Sequence, residues 1–126
     1  MKLKIAPIMG IIICLAVAGG LIWLILNKNN NTETANNNEI ILFYGETCPH
    51  CKNVEDFIRQ NSVDLKLEIT RKEVFKNNKN GELLGEKAAK CGISANSIGV
   101  PLLWDGKNCH TGEEEVINFL ITAANL

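Results

Sequence analysis

The sequence has almost no excess of charge of either sign. Its 126 residues include 13 Lys and Arg and 14 Asp and Glu, so the formal net charge at pH 7 is -1. Without a basic excess there is no sign of a nucleic-acid-binding face, and without an acidic excess there is no sign of a disordered chain. A chain of this length has room for one ordinary globular domain.

Part of the 46% hydrophobic content lies in one N-terminal block, residues 5–26, which carries no charged side chain. As a helix it would reach roughly 33 Å, enough to cross a bilayer. The alternative is a cleavable signal peptide with a small-residue site at Ala16-Val17-Ala18, but the apolar run continues to Leu26 and favours a retained anchor. Cys14 follows three isoleucines rather than the small residue of a lipid-attachment site, so we interpret it as a plain membrane residue.

The flanking charges predict the orientation of this anchor. Lys2 and Lys4 precede the span and only Lys28 follows it closely, so the N-terminus is expected in the cytoplasm and the rest of the chain outside it. The following segment is almost entirely Asn, Lys, Thr and Glu, which predicts a flexible linker. The predicted parts are a membrane anchor with its cytoplasmic tip, a linker and one folded domain, at residues 1–26, 27–38 and 39–126.

The folded domain begins with patterns typical of strands. Residues 40–44 form a continuous apolar and aromatic run, as expected of a central strand covered on both faces. Residues 63–69 alternate strictly between apolar and polar, which predicts a strand near the sheet edge. Residues 71–80 are polar apart from Val74 and Phe75, and we interpret them as loop or frayed helix.

Two helices are predicted, one between the two strands and one after the polar segment. The first has Pro49 at its first turn and apolar residues at helical spacing toward Asn61. The second covers residues 82–90 and stops at Gly92, a residue suited to a helix C-terminal cap.

A hairpin and a third helix complete the domain. Residues 100–104 and 107–110 are expected to pair across a two-residue turn at Asp105-Gly106. The last helix begins at Thr111, where a capping box through Glu114 is predicted. The order βαβαββα fits a compact three-layer α/β/α sandwich around a four-stranded mixed sheet.

The chemistry points to Cys48-Pro49-His50-Cys51, which directly follows the first strand and opens a helix. The spacing alone is weak evidence, but unpaired N–H groups and the helix dipole stabilise an anion at a helix N-terminus. A thiolate at Cys48 would be the nucleophile of disulfide exchange, and Cys51, one turn on, would resolve the mixed disulfide. Pro49 fixes the first helical φ.

Two neighbours of the cysteines would act on the thiolate in opposite directions. His50 would stabilise it as a hydrogen-bond donor or as a cation, and Glu46 would destabilise it if the two are close. Other interpretations of the motif are a structural disulfide, half of a zinc site, or a copper-binding module that uses the two soft sulfur ligands. The sequence has no second C-x-x-C to complete a zinc site.

With these landmarks, residues 39–126 resemble the thioredoxin superfamily and, within it, the glutaredoxin-like proteins. The resemblance rests on the strand leading into Cys48 to Cys51, on Gly99-Val100-Pro101, and on Thr111-Gly112-Glu113-Glu114 at the last helix. It implies a thioredoxin-like fold, a cis peptide bond before Pro101 close to the redox pair, and a backbone contact from Val100 to the incoming peptide or glutathione.

The resemblance also extends to the substrate side of the domain. It places Thr111 and Gly112 at the substrate, where the family has paired glycines. Tyr44, just before the redox turn, is a further candidate for lining the site. Dithiol glutaredoxins usually carry a lysine ahead of the first cysteine, whereas this chain has Glu46 there, and this departure disfavours a glutathione-dependent reductase.

Cys91 and Cys109 remain open on sequence alone. They could form a second disulfide, which an oxidising compartment would permit, or be two small buried hydrophobic residues. A second redox pair, or metal binding with His110, is the remaining alternative.

The sequence therefore predicts an enzyme, a thiol-disulfide oxidoreductase that exchanges disulfides with protein substrates outside the cytoplasm and is tethered to the membrane. Its redox group would be the disulfide itself, with no metal and no other cofactor unless glutathione takes part. The alternatives are a glutathione-dependent reductase and a copper-binding module without enzymatic activity. The redox partner and the direction of exchange are not encoded in recognisable residues.

Overall fold

In the computed structural model, Gly20 and residues 39–126 are described. The chain divides into two units, Met1–Thr34 and Ala35–Leu126. The predicted linker, and the predicted membrane span apart from Gly20, lie outside the described residues. Within the part that the structure describes, no helix is long and apolar enough to cross a membrane.

The described part of the second unit, residues 39–126, contains four strands and three helices in the predicted order βαβαββα. Two short 3₁₀ helices, Val63–Leu65 and Ala95–Ser97, lie in the connections. The elements are β1 (Ile40–Tyr44), α1 (Pro49–Gln60), β2 (Ile69–Glu73), α2 (Asn78–Lys90), β3 (Leu102–Trp104), β4 (Cys109–Thr111) and α3 (Gly112–Ala123).

The four strands form one mixed sheet in the order β2-β1-β3-β4. β1 pairs in parallel with β2, and β3 pairs antiparallel with β1 and with β4. β1 and β3 therefore occupy the centre of the sheet, with Phe43 opposite Leu102, and the middle of β1 and all of β3 are buried. The predicted four-stranded mixed sheet is confirmed.

Each face of the sheet has its own apolar cluster, because alternate side chains of a strand point to opposite faces. Leu42 and Leu103 pack with residues of α1 and α3 on one face. Phe43 and Leu102 pack with Leu84 of α2 and its neighbours on the other. The arrangement is the predicted three-layer α/β/α sandwich.

The strand predicted at residues 63–69 is wrong in position. Ser62 has a left-handed backbone with φ 53°, and the amides of Lys66 and Leu67 donate to the carbonyl of Val63, which closes a 3₁₀ turn. In this turn Val63 is buried and Leu65 is 87% exposed, so the alternating pattern does not mark one dry face. The strand is β2, which begins at Ile69.

This shift also corrects the prediction of a loop at residues 71–80. Residues 71–73 belong to β2, and Arg71 donates to the carboxylates of Glu55 and Asp64. α2 begins at Asn78 instead of Glu82 because the side chain of Asn77 accepts a hydrogen bond from the Asn80 amide and caps the helix.

The predicted turn of the hairpin is displaced by one residue. The amide of Asp105 donates to the carbonyl of Asn108, so Gly106 and Lys107 are the central turn residues, and Gly106 has a φ of 96°. The Asp105 carboxylate fixes this turn because it accepts hydrogen bonds from the amides of Lys107 and Asn108.

Candidate functional site

The redox turn connects the end of β1 to the start of α1. The amide of Cys48 donates to the carbonyl of Gly45, and Cys48 occupies the N-cap of α1 with Pro49 in the first turn. Cys48 and Cys51 form a disulfide with their Cα atoms 5.3 Å apart. Cys48 is partly exposed, whereas Cys51 is 2% exposed. Of the two sulfur atoms, that of Cys48 is therefore the one accessible to another molecule.

The helix start provides an environment for an anionic sulfur at Cys48. The amide of Cys51 donates to the Cys48 sulfur at 3.2 Å. The sulfur thus stands where a capping oxygen usually stands, at the positive end of the helix dipole. Both effects stabilise a thiolate at Cys48, the form that attacks disulfides.

The loop before β3 forms the second side of the site. The peptide bond between Val100 and Pro101 is cis, and Pro101 is fully buried. The carbonyl oxygen of Val100 lies 3.7 Å from the Cys48 sulfur, and the amide of Gly112 donates to the Pro101 carbonyl at 2.9 Å. No residue in the described part of the chain accepts a hydrogen bond from the Val100 amide. That amide therefore keeps its hydrogen-bonding capacity for solvent or for a bound molecule.

The start of α3 contacts the start of α1 through one carboxylate. The Nδ1 atom of His50 lies 2.8 Å from Oε2 of Glu113, and the side-chain amide of Asn53 donates to the same oxygen at 3.0 Å. These two hydrogen bonds, that of His50 first, lower the pKa of Glu113. His50 itself is 71% exposed. His50 therefore borders the redox turn with its ring oriented by Glu113.

The carboxylate of Glu73 connects the redox turn to the segment that follows β2. Glu73 accepts hydrogen bonds from the amides of Lys76, Phe75 and Glu46, and the one from Lys76 is the largest cause of its lowered pKa. The carboxylate of Glu46 in turn forms an ion pair with the ammonium of Lys76. This pairing partly offsets the charge by which Glu46 would oppose a thiolate.

A cleft of about 550 Å³ opens beside the redox turn. It lies between the start of α1, the first two turns of α3 and the loop before β3 that contains Pro101, which we call the proline loop. Its lining residues are His50, Val100, Pro101, Gly112, Glu113, Glu114, Ile117 and Asn118. A volume of this size is typical of binding sites for small ligands or for a few residues of a peptide.

No protein-family model and no curated protein matches the chain. Among solved structures, a complex of buckwheat glutaredoxin with glutathione aligns at 16% identity and a TM-score of 0.51, covering 72% of this chain and 80% of that one. Oxidised glutaredoxin 2 from Chlamydomonas reinhardtii aligns at 14% identity and a TM-score of 0.49, covering 74% and 88%.

The fold is thioredoxin-like. The similarity to the buckwheat structure shows this together with the mixed four-stranded sheet and its three helices. At this level of identity the comparison concerns the fold alone.

The thioredoxin-like fold brings most of the predicted site residues together. His50, Val100, Pro101 and Gly112 line the cleft, and Cys48 lies against the Val100 carbonyl. Tyr44 is at the end of β1, opposite Glu73, and does not line this cleft.

Cys91 and Cys109 form a second disulfide, with Cα atoms 6.0 Å apart. It joins the C-cap of α2 to the first residue of β4. A second cavity of about 600 Å³ adjoins it and shares Val100, Pro101 and Gly112 with the cleft. Thr111 lines this second cavity but not the cleft. The Cys109 sulfur is 3.5 Å from the carbonyl of Lys87, at the negative end of a helix, which disfavours a thiolate. The two disulfides thus occupy opposite electrostatic environments.

The start of α3 corrects the predicted capping box. The side chain of Thr111 makes no capping hydrogen bond, and it is Glu115 that accepts hydrogen bonds from the Thr111 amide and hydroxyl. Gly112 has a φ of 79°, so the first turn does not start in the usual helical conformation. As a result, the carboxylate that reaches back to Thr111 is that of Glu115 instead of Glu114. Glu114 does not cap the helix and instead lines the cleft.

Sequence reasoning missed the contact of Glu113 with His50 and Asn53. Glu113 is visible in the sequence as an acidic residue in the first turn of a helix, and His50 and Asn53 are visible at a spacing that places them on one face of α1. Which residues of α1 and α3 meet depends on helix packing, which no local pattern encodes.

Proposed function

We propose that this protein is a thiol-disulfide oxidoreductase that acts on protein substrates through Cys48 and Cys51. The observation that carries the proposal is the position of the Cys48 sulfur, partly exposed at the N-terminus of α1 and 3.7 Å from the Val100 carbonyl of the proline loop. The thioredoxin-like fold, the available Val100 amide and the cleft beside the pair support it.

In the oxidising direction, a client thiolate attacks the Cys48 sulfur and breaks the bond to Cys51, which leaves as a thiolate. This step forms a mixed disulfide between the client and Cys48. A second client thiolate then attacks the client sulfur of the mixed disulfide and releases Cys48 as a thiolate. The client loses two electrons, and the Cys48–Cys51 pair gains them.

In the reducing direction the same bonds form and break in reverse. The Cys48 thiolate attacks a client disulfide and expels one client sulfur as a thiolate. The Cys51 thiolate then attacks the Cys48 sulfur, restores the internal disulfide and releases the second client thiolate. The Cys51 sulfur is suited to this resolving step because Cys51 is buried and bonds to Cys48, so another molecule has little access to it.

We further propose that the domain acts outside the cytoplasm, tethered by residues 5–26. The proposal rests on the lysines before the apolar block and on the Cys91–Cys109 disulfide, a bond that persists in oxidising compartments. Membrane vesicles of known orientation test it, because a protease added outside should digest the domain only where the extracytoplasmic face is outward. Digestion only after the vesicles are opened would contradict an outward-facing domain.

Turnover with a client protein tests the proposed chemistry. The full-length protein in mild detergent should accelerate reduction of insulin by dithiothreitol in its reduced form and oxidative refolding of a reduced client in its oxidised form. Cys48→Ser should abolish both activities, whereas Cys14→Ser, the matched control, should retain them. Replacement of dithiothreitol by glutathione distinguishes a general oxidoreductase from a glutathione-dependent one. A wild-type protein inactive in every arm would rule out the proposal.

A further inference from the structure

The wall of the cleft that α3 provides is acidic. Glu113 and Glu114 both line the cleft, and none of its lining residues is Lys or Arg. No Lys or Arg lines the second cavity either, which shares the proline loop. Among the cleft residues, His50 is the one that is able to carry a positive charge.

The two carboxylates differ in how their charge is used. Glu113 accepts hydrogen bonds from His50 and Asn53, so its negative charge is partly offset within the domain. Glu114 is exposed, and its side chain forms neither an ion pair nor a hydrogen bond with any residue that the structure describes. The formal negative charge of Glu114 is therefore not paired within the described part of the chain, and it faces the cleft.

The helix start does not counter this charge. The N-terminus of an α-helix usually attracts anions, because its first amides are unpaired. In α3 three consecutive glutamates, Glu113 to Glu115, occupy the first turn, and Glu115 accepts hydrogen bonds from Thr111. Two other carboxylates, those of Glu113 and Glu115, therefore share the positive end of this helix with Glu114.

The rest of the cleft suits a polypeptide that carries a cation on a long apolar stem. Ile117 lines the cleft with Val100 and Pro101, and the Val100 amide is available for a backbone hydrogen bond. Lys and Arg side chains pack their methylene groups on apolar surface while the charged end meets a carboxylate. A ligand whose ends are carboxylates would instead face Glu114.

We propose, on the basis of the disulfide exchange described above, that Glu114 is a specificity-determining residue. It favours client segments with Lys or Arg next to the reacting cysteine and disfavours acidic thiols such as glutathione. The group recognised is the side-chain cation of the client, and the exchange reaction itself is unchanged.

Two peptides test this proposal. Each has one internal disulfide and the same length, and they differ only in whether the residues flanking the cysteines are Lys or Glu. The second-order rate constant for reaction with the reduced, full-length protein is measured for each peptide. The ratio of the two rate constants is then compared between protein variants, so that differences in the intrinsic reactivity of the peptides cancel.

Glu114→Gln should lower the preference for the lysine peptide by about three- to fivefold, the size of one partly screened ion pair. Glu114→Lys should lower it by about tenfold or more, and salt at about 1 M should remove the difference between variants. The matched control is Glu82→Lys, which makes the same charge change at an exposed position of α2 outside both cavities, and it should leave the ratio unchanged.

An unchanged ratio in Glu114→Lys would overturn the role of Glu114 while leaving the exchange chemistry intact. If the reduced wild-type protein reacts with neither peptide, the exchange reaction itself is absent, and both proposals are wrong.

Discussion

The Nδ1 atom of His50 lies 2.8 Å from Oε2 of Glu113, and this contact joins the first turn of α1 to the first turn of α3. α1 carries the redox pair and α3 carries the acidic wall of the cleft, so one carboxylate connects the two parts of the proposed site. Asn53, one turn after His50, donates to the same oxygen and strengthens the connection.

The first prediction concerns the pH dependence of stability. The hydrogen bonds of His50 and Asn53 lower the pKa of Glu113 from its ordinary 4.5 in the folded protein. The stabilisation by this carboxylate is thus fully present above the unfolded-state pKa and is lost as the pH falls through the folded-state pKa. In Glu113→Gln, urea denaturation should show a smaller loss of stability between pH 6 and pH 3 than in wild type. An equal loss in both proteins would contradict the linkage.

The second prediction concerns Asp105 in the hairpin turn. Burial alone would raise its pKa, but hydrogen bonds from the Asn108 amide, the His110 ring and the Lys107 amide outweigh burial and hold the pKa at about 2. Its stabilisation is therefore present at neutral pH and is lost as the pH falls from about 4 toward 2. Asp105→Ala should lower the free energy of unfolding at pH 7 by about 1 to 2 kcal/mol, since it leaves turn amides without their acceptor.

Asparagine provides the control at this position. Asp105→Asn retains an oxygen for the turn amides but loses the charge next to His110. We expect it to cost less than the alanine variant at pH 7 and to make the loss of stability between pH 4 and pH 2 smaller than in wild type. A neutral-pH cost equal to that of alanine would show that the charge, and not the turn geometry, matters at Asp105.

The third prediction concerns the Cys91–Cys109 disulfide. It joins residues 18 positions apart, and a crosslink over a loop of this length usually stabilises a protein by about 2 to 4 kcal/mol. The double variant Cys91→Ala/Cys109→Ala should lose that amount in urea denaturation under oxidising conditions. Its Cys48 should still react with a small aromatic disulfide, because α1 contains neither residue. Unchanged stability would show that the bond contributes nothing to folding.

The fourth prediction concerns Gly45 at the start of the redox turn. A Cβ atom at this position would overlap the ring of Phe75, a side chain that is 57% exposed. Gly45→Ala should therefore displace the ring and destabilise the domain by about 1 kcal/mol. In the Phe75→Ala background the same change should cost less than about 0.3 kcal/mol, because the overlapping atoms are gone. Equal costs in the two backgrounds would exclude the overlap as the cause.

The sequence predicted the parts of the site that depend on local chemistry. Pro49 and Cys48 at a helix start, and Val100 before Pro101, are visible as short patterns, and the structure places both segments beside the cleft. The alternation at residues 63–69 misled because the left-handed turn at Ser62 depends on how α1 ends, which the alternating pattern does not contain.

The remaining parts depend on contacts between distant segments. The pairing of Glu113 with His50 spans 63 positions and requires the packing of α3 on α1. The bond between Cys91 and Cys109 likewise requires that β4 lie next to the end of α2. Residue types and spacings leave such contacts open, because each residue is equally consistent with several partners.

The most direct test of the account is to trap the mixed disulfide. Reduced Cys51→Ser protein, which retains Cys48 but lacks the resolving thiol, should form a covalent adduct with a client disulfide, and mass spectrometry of the digested adduct should place the bond at Cys48. Reduced Cys48→Ser protein should form little adduct, because the Cys51 sulfur is buried. An adduct predominantly at Cys51, or no adduct at Cys48, would contradict Cys48 as the nucleophile.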